Sequence, residues 1–571
     1  MRPGIQRGSC GGSSEPGAEA VIFLLVTTGG QTIVRRYGIS SKMESSQIKG
    51  LFIIVIAALL AIYLGIAAAT AQTEAVAWVV GLAGVVFVLA LGKNVWVLLP
   101  ATLGLQGAIN FLPGSPPPWT LFTGIVVGMF IIRFALHRQD FVWRFNWLDV
   151  AVLLQLAAVG QAFVRNPTGL MVMGGDTAGG KPYFLFGIAV IAYFCMALAR
   201  PNEKMIRWAI ISGIVLFILD GAVLTVSDWM PAFASLVIPI YSNVNLAAAY
   251  GQEIATDLSA VRGGIGFSQL GRGLAFPVLC MARPLMTLNP LKPHLFVPLV
   301  VGCGLVLLSG YRSVIAYLAI TYILVALLRR KMVDVIVVGF AGFLGLAIIV
   351  ATGTVQNLPF GAQRVLSVLP VEVDSMAERD ADQSTEWRVE MWKLALGTDD
   401  FIKNKWLGDG FALSSREMKA ILERAAGYEN YMNSSQEQAL AKGSYHGFHV
   451  ETIRFTGVLG LVFALVLMIV AFRCACRLIR FFRGDPLFPY VIFVAIPFLI
   501  YPFWAMLIFG AYRAEFPQFI AMAGLLKMIE NLAIARNAAK VPLPDASSQQ
   551  APPRAVGNLP FPEGRGIRAR G

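Results

Sequence analysis

The sequence predicts an all-α fold: a polytopic transmembrane helical bundle of about 12–14 spans with one long, helix-containing external connection. Three observations point there. Of the 571 residues, 57% are hydrophobic and the mean hydropathy is +0.67, whereas soluble domains use roughly 45–50% apolar residues. Apolar stretches of about 20 residues, the length that crosses the hydrocarbon core, recur along the chain. The basic residues gather in the short connections between these stretches.

Taken in order, residues 1–42 are rich in Gly, Ser and Arg around the apolar run AVIFLLV at 20–26. They are expected to be a disordered arm or an upstream mis-start before a natural N-terminus at Met43. A secretory signal fits less well, because Arg35 and Arg36 follow the apolar run instead of preceding it. Residues 43–352 are expected to hold eleven spans, near 49–70, 75–91, 94–111, 119–136, 147–164, 183–199, 206–227, 265–282, 294–310, 312–329 and 333–352. Residues 353–450 make the long connection, and 451–534 hold three further spans, near 451–473, 487–510 and 516–534. Residues 535–571, with PLPDASSQQAPPR, read as a disordered cytoplasmic tail. Backbone groups in lipid must be satisfied within their own segment, so each span is a helix.

A formal net charge of +13 would suit a nucleic-acid partner, but its distribution argues against one. HRQDFVWR at 137–144, RRK at 329–331 and RCACRLIRFFR at 473–483 are short basic connections, the kind retained in the cytoplasm. Threading the spans by that rule puts Met43 inside and 353–450 outside. Between 353 and 447 there are fourteen Asp or Glu against ten Lys or Arg, a balance that suits an external segment. None of the six cysteines lies in that segment, so disulfides do not staple it. Cys474 and Cys476 form C-x-C without the companion pair a zinc site needs.

Charges in or at a membrane are costly and mark candidate sites. Arg312, in LLSGYRSVIAYLAI, sits at an external turn between spans; alone it reads as a snorkelling anchor. Arg262 and Arg272, in VRGGIGFSQLGRGLAF, flank the external start of another span whose glycines weaken the helix, which is tolerated where backbone lines a cavity. In STEWRVEMWKLAL at 384–396, Arg388, Trp392 and Leu396 fall four apart, so the arginine shares a helical face with apolar residues. Its plainer reading is a surface arginine on an amphipathic helix lying at the membrane. In WLGDGFALSS at 406–415, Gly408 and Gly410 permit a tight turn. His446 and His449 stand at the lip of a span beside Glu451 and Arg454. A single histidine there is ordinarily structural. Two imidazoles, able to accept a proton at neutral pH, with several arginines on the same outer face, suit a phosphate-bearing substrate that guanidinium grips through its planar fork. Arg454 has Glu451, its i,i+3 neighbour, as an alternative partner. Asp380 and Asp382 form D-x-D within an acidic run and read as solvated surface, so no metal-ligand set emerges.

The ordered set is SGYRS before a span, a long external connection holding R-x-x-x-W and then W-L-G-x-G, and a His eleven residues before G-V-L-G-L. Over roughly 260–475 it resembles the O-antigen ligase and O-antigen polymerase family of bacterial membrane glycosyltransferases; the N-terminal half is compatible in topology only. The resemblance implies a lipid-using, all-helical glycosyltransferase fold in the bacterial inner membrane, with its active site facing the periplasm. It implies transfer of an oligo- or polysaccharide from undecaprenyl pyrophosphate to a glycan, lipid or protein acceptor, as a ligase or a repeat-unit polymerase. Arg312 and Arg388 match the arginines associated with the pyrophosphate, and His446 matches the histidine that activates the acceptor hydroxyl. Two departures leave the register open: HG stands at 446–447 where HN or HS is frequent, and His449 adds a second imidazole. Arg262, Arg272, His449 and Arg454 are weaker substrate-binding candidates.

The implied chemistry is a direct, inverting displacement at the anomeric carbon, with arginines neutralising the leaving pyrophosphate and neither metal nor cofactor required. Related metal-dependent transferases carry acidic pairs in early external loops, where this chain offers Glu74 alone. Arg312 and Arg388, 76 positions apart, are expected to converge on one outward-opening cavity. Two non-enzymatic readings stand beside this one. A transporter or flippase of lipid-linked glycans predicts charged or broken helices at the bilayer midplane and internal symmetry; an assembly protein predicts a partner-binding external connection.

Overall fold

The computed structural model describes residues 21–28, 31–38, 84–110, 112, 114–136, 141–142, 144–167, 180–238, 240–242, 264–367, 371–411, 423, 440 and 443–540. The chain divides into two compact units, Met1–Leu91 and Gly92–Gly571. In the first, β1 (Val21–Thr28) pairs antiparallel with β2 (Gln31–Gly38), from Val21 opposite Gly38 to Thr28 opposite Gln31. Aliphatic and β-branched runs on either side of Gly29-Gly30 are a hairpin signature. These two strands lie within residues 1–42, for which a disordered arm or an upstream mis-start is the expectation; the rest of that stretch lies outside the described residues. The expected span at 49–70 lies outside the described residues.

The second unit is helical. Its principal helices are α1 (Pro118–Ala135), α2 (Trp147–Arg165), α3 (Lys181–Leu198), α4 (Glu203–Trp229), α5 (Gly264–Met281), α6 (Pro293–Ser309), α7 (Arg312–Leu328) and α8 (Met332–Ala351). After α8 come α9 (Phe360–Leu366) and α10 (Ser375–Gly397), then α11 (Phe448–Phe481), α12 (Phe488–Leu507) and α13 (Tyr512–Lys540). A two-residue bridge pairs β3 (Ala108–Ile109) with β4 (Tyr241–Ser242). Among the described residues nine helices are long and apolar enough to cross a membrane, and the shorter apolar α6 and α7 join them. The chain is a multi-pass membrane protein with an all-α architecture. α13 runs to Lys540, so residues 535–540, expected in the disordered tail, are helical; the rest of the tail lies outside the described residues.

Small residues set the closest helix contacts, as they must where lipid supplies no hydrophobic drive between helices. A Cβ on Gly271 of α5 would stand 2.6 Å from the Gly302 carbonyl of α6, and one on Gly266 would stand 2.6 Å from the Thr225 nitrogen of α4. α5 is thereby gripped between α4 and α6. Polar groups add fixed points. Asp220 of α4 accepts hydrogen bonds from the Gln106 N–H (3.2 Å), Gln269 and Tyr241. Asn146 caps α2 by accepting from the Leu148 N–H at 2.9 Å, and the Asp149 carboxylate accepts from the Asn146 N–H at 2.6 Å. Asp149 also meets Lys527 of α13 at 2.9 Å and the Tyr193 hydroxyl of α3 at 2.7 Å. One buried carboxylate thus ties three helices together.

Candidate active site

The site is built around a break in α11. At Gly457 the backbone turns to φ 76, ψ −179, a conformation that favours glycine, and the helix groups freed there need partners. The segment around WLGDG supplies them. Val458 N–H donates to the Lys405 carbonyl (2.8 Å) and Leu459 N–H to that of Trp406 (3.2 Å). In return Asp409 N–H donates to the Arg454 carbonyl (2.8 Å) and Gly410 N–H to that of Phe455 (3.1 Å). Gly408 (φ +74) lies so close that an added Cβ would stand 2.5 Å from the Gly457 nitrogen. The turn expected from Gly408 and Gly410 is therefore one half of a backbone clasp. The end of α2 closes it from outside: Gln161 donates to the Leu407 carbonyl (2.9 Å), Arg165 to that of Gly408 (2.6 Å) and Asn166 to that of Asp409 (2.8 Å).

Asp409 holds the clasp electrostatically. Its carboxylate accepts from the Lys403 N–H (2.9 Å) and the Asn404 N–H (2.8 Å), and it pairs with the Arg454 guanidinium. The Arg454 side chain is only 5% exposed. Arg454, a weak substrate-binding candidate with Glu451 as its alternative partner, is thus bonded to Asp409 instead, because the clasp carries that carboxylate to it. Glu451 turns elsewhere and accepts from the Tyr512 N–H at 2.8 Å, fastening α11 to the first residue of α13.

His446 precedes α11 in a left-handed conformation (φ 50), which costs a non-glycine residue about 1–3 kcal/mol and persists only where the surroundings impose it. Those surroundings are aromatic. The edge of Trp387, on α10, packs against the imidazole with centroids 5.7 Å apart, and Phe509, between α12 and α13, lies at 5.5 Å. The Arg388 guanidinium stands over the same Phe509 ring at 6.0 Å. Burial, then the charge of Arg388, pushes the His446 imidazole down from its usual range to about 4. At neutral pH it is an uncharged base beside a fixed cation.

The HG at 446–447 has a local reason. Trp392 donates through Nε1 to the Tyr445 carbonyl at 2.8 Å, and a Cβ on Gly447 would stand 2.7 Å from the Trp392 ring. His449 packs against the same Trp392 ring, with centroids 4.8 Å apart. Among the described residues its Nδ1 is buried without a hydrogen-bond partner.

Arg388 and His446 are therefore brought together through Phe509. Arg312 is the first residue of α7, after the left-handed Gly310 that ends α6. The Phe276 and Tyr317 rings, 5.8 Å apart, set the register of α5 against α7. Arg272 and Arg312 precede that contact by four and five residues, or about 6 and 7.5 Å of helix, and so stand at nearly the same level. The Arg272 guanidinium lies 4.9 Å from the Phe217 ring centre. Arg262 lies outside the described residues. Sequence reasoning missed Trp387, Asp409 and Phe509. The aspartate carried a signal, a carboxylate between two turn glycines, but Phe509 sits in an apolar run where nothing separates it from its neighbours.

No curated protein matches the chain. A family model described as O-antigen ligase matches residues 297–468, a range that takes in Arg312, Arg388, the WLGDG turn, His446, His449, Arg454 and the break at Gly457. Over residues 297–468 the chain carries the likeness to the O-antigen ligase family that its ordered motifs indicate.

Proposed function

We propose that the protein is a glycosyltransferase of the bacterial inner membrane that moves an oligo- or polysaccharide from undecaprenyl pyrophosphate to a glycan, lipid or protein acceptor at the periplasmic face. The observation that carries this reading is the pairing of an uncharged, half-buried His446 with the fixed cation Arg388, both inside the matched range, across the Phe509 ring. A base able to take a hydroxyl proton and a cation able to hold a leaving phosphate are what glycosyl transfer from a lipid pyrophosphate needs.

In the proposed step His446 accepts the proton of the acceptor hydroxyl as that oxygen attacks the anomeric carbon. The new carbon–oxygen bond forms, the bond from the anomeric carbon to the phosphate oxygen breaks, and configuration inverts. The electron pair leaves on undecaprenyl pyrophosphate, whose charge Arg388 and Arg312 receive through bidentate forks. Arg272, level with Arg312, supplies a further cation beside it. The bound pyrophosphate also offsets the cation that depresses His446, raising its basicity once the donor is seated.

The transporter reading finds less support. Asp149 and Lys527 are buried charges of the kind such proteins use, but Asp149 lies in the first turn of α2 and is locked by Lys527, Tyr193 and Asn146. That is a helix staple near the end of a span.

The test is transfer by purified protein in liposomes carrying lipid-linked donor and acceptor. Wild type turns over, including in excess chelator, while Arg388→Lys and Arg312→Lys, which keep charge but lose the planar fork, fall by at least about tenfold. Loss of turnover with chelator, restored by magnesium or manganese, contradicts the metal-free step; near-normal transfer by both Lys variants reduces these arginines to anchors. A cell lacking the protein separates the two acceptor classes: lipid-linked chains accumulate if it is a ligase, and single repeat units appear on the acceptor if it is a polymerase.

A further inference from the structure

The helix α3 begins with Lys181 and places Tyr183 against Phe411 beside the clasp, with ring centroids 4.9 Å apart. It ends at Leu198, so the residues that follow lie at the other end of the bundle, about 27 Å of helix away. A cavity of about 130 Å³ opens there. Three cations line it, Lys93, Arg133 and Arg200, together with Asn94 and Asn202. Its apolar wall is Phe130 and Phe141, whose rings meet at 5.3 Å.

We propose that this cavity binds an anionic phosphate group, presented by the headgroup of a membrane phospholipid. Three basic side chains from three separate segments around a space of this size suit one compact, multiply charged anion, and Asn94 adds a hydrogen-bonding side chain. Basic pockets between membrane helices hold anionic headgroups in this way. The lipid source is favoured by what flanks Arg133. Ile131, Ile132 and Phe134 on α1 are 61%, 53% and 60% exposed, an apolar surface along which acyl chains lie while the phosphate enters the cavity. The site is distinct from the one around His446, since the length of α3 separates them. It is therefore not a second view of the donor pyrophosphate.

The experiment is native mass spectrometry of the whole protein in a non-ionic detergent, titrated with phosphatidylglycerol, with diacylglycerol as the phosphate-free control, and with inorganic phosphate as competitor. Wild type should retain phosphatidylglycerol at least about tenfold more tightly than the Lys93→Gln/Arg200→Gln double variant, with no such difference for diacylglycerol. Both replaced residues sit at the surface, and a thermal melt confirms that the variant is folded. Displacement by millimolar phosphate without retention of the lipid identifies free phosphate as the source of the same group. His446→Ala should bind phosphatidylglycerol as wild type does, which separates this proposal from the fate of the transfer reaction. Equal binding of phosphatidylglycerol and of phosphate by wild type and the double variant overturns it.

Discussion

At His446 two forces act in the same direction: burial disfavours the imidazolium, and Arg388 repels it, so the ring takes up a proton only as the pH falls to about 4 instead of near 6.5. The neutral form is the competent base, so the acid limb of the free enzyme's pH–rate profile should fall near pH 4. A limb near 6.5 would mean that the imidazole is solvated. Histidine-selective NMR titration offers an independent check: Arg388→Gln should move the His446 midpoint upward, because the second cause is removed while the first remains. Linkage follows the same sign. Between about 6.5 and 4 the unfolded chain binds a proton the folded one refuses, so this histidine's contribution to folded stability falls as pH drops through that window. The roles of Arg388 and His446 were suggested by residue type and order in the sequence. Their common partner was not, since Phe509 and Trp387 are ordinary apolar letters until the fold sets them against the imidazole.

At the scale of elements, the break in α11 governs the site's geometry. Gly457 sits at a positive φ, and any side chain there would collide with the Trp406 carbonyl. Gly457→Ala should therefore lower both folded yield and transfer, whereas Gly484→Ala, at another positive-φ glycine but with open space around it, should cost only about 1 kcal/mol of backbone strain. Comparable yields of the two variants would show that the clasp is dispensable. Asp409→Asn leaves Arg454 buried without its counter-charge and should destabilise the protein by about 3–5 kcal/mol. The tight turn in WLGDG was legible from its glycines. The break was not, because hydropathy runs unbroken from Val458 through Val470 and glycines are common in spans. Arg454 and Glu451 illustrate the same limit: i,i+3 spacing makes them neighbours, yet each is claimed by a distant element, Asp409 for one and the Tyr512 N–H for the other.

For the whole molecule, the all-α, multi-pass class was readable because membrane-crossing segments must be long and apolar; of the 12–14 spans expected, nine helices long enough to cross and two shorter apolar ones are found among the described residues. The boundaries shifted where helices outran their apolar cores: α11 starts at Phe448 and α13 extends to Lys540. The strands Val21–Thr28 and Gln31–Gly38 were not legible as strands because their apolar run stands within Gly-, Ser- and Arg-rich sequence that reads as unstructured. Sidedness rests on the basic connections and carries its own prediction. In single-cysteine variants, Asp399→Cys should react with a membrane-impermeant maleimide added to the periplasmic side, and Arg483→Cys only after the membrane is opened. Both side chains lie at exposed positions, so access depends on the membrane alone. The reverse pattern would put the His446 site in the cytoplasm and remove the transferase reading with it.

The central claim is that His446 takes the acceptor's proton. Its most direct measurement is the rate of glycan transfer in liposomes by His446→Ala and His449→Ala at matched, correctly inserted protein. General-base assistance contributes about 10²–10⁴-fold, so His446→Ala should lose a factor in that range while still binding lipid-linked donor, and His449→Ala, whose ring packs on Trp392, should lose far less. Wild-type rates in His446→Ala, or an inactive His449→Ala beside an active His446→Ala, would contradict the account.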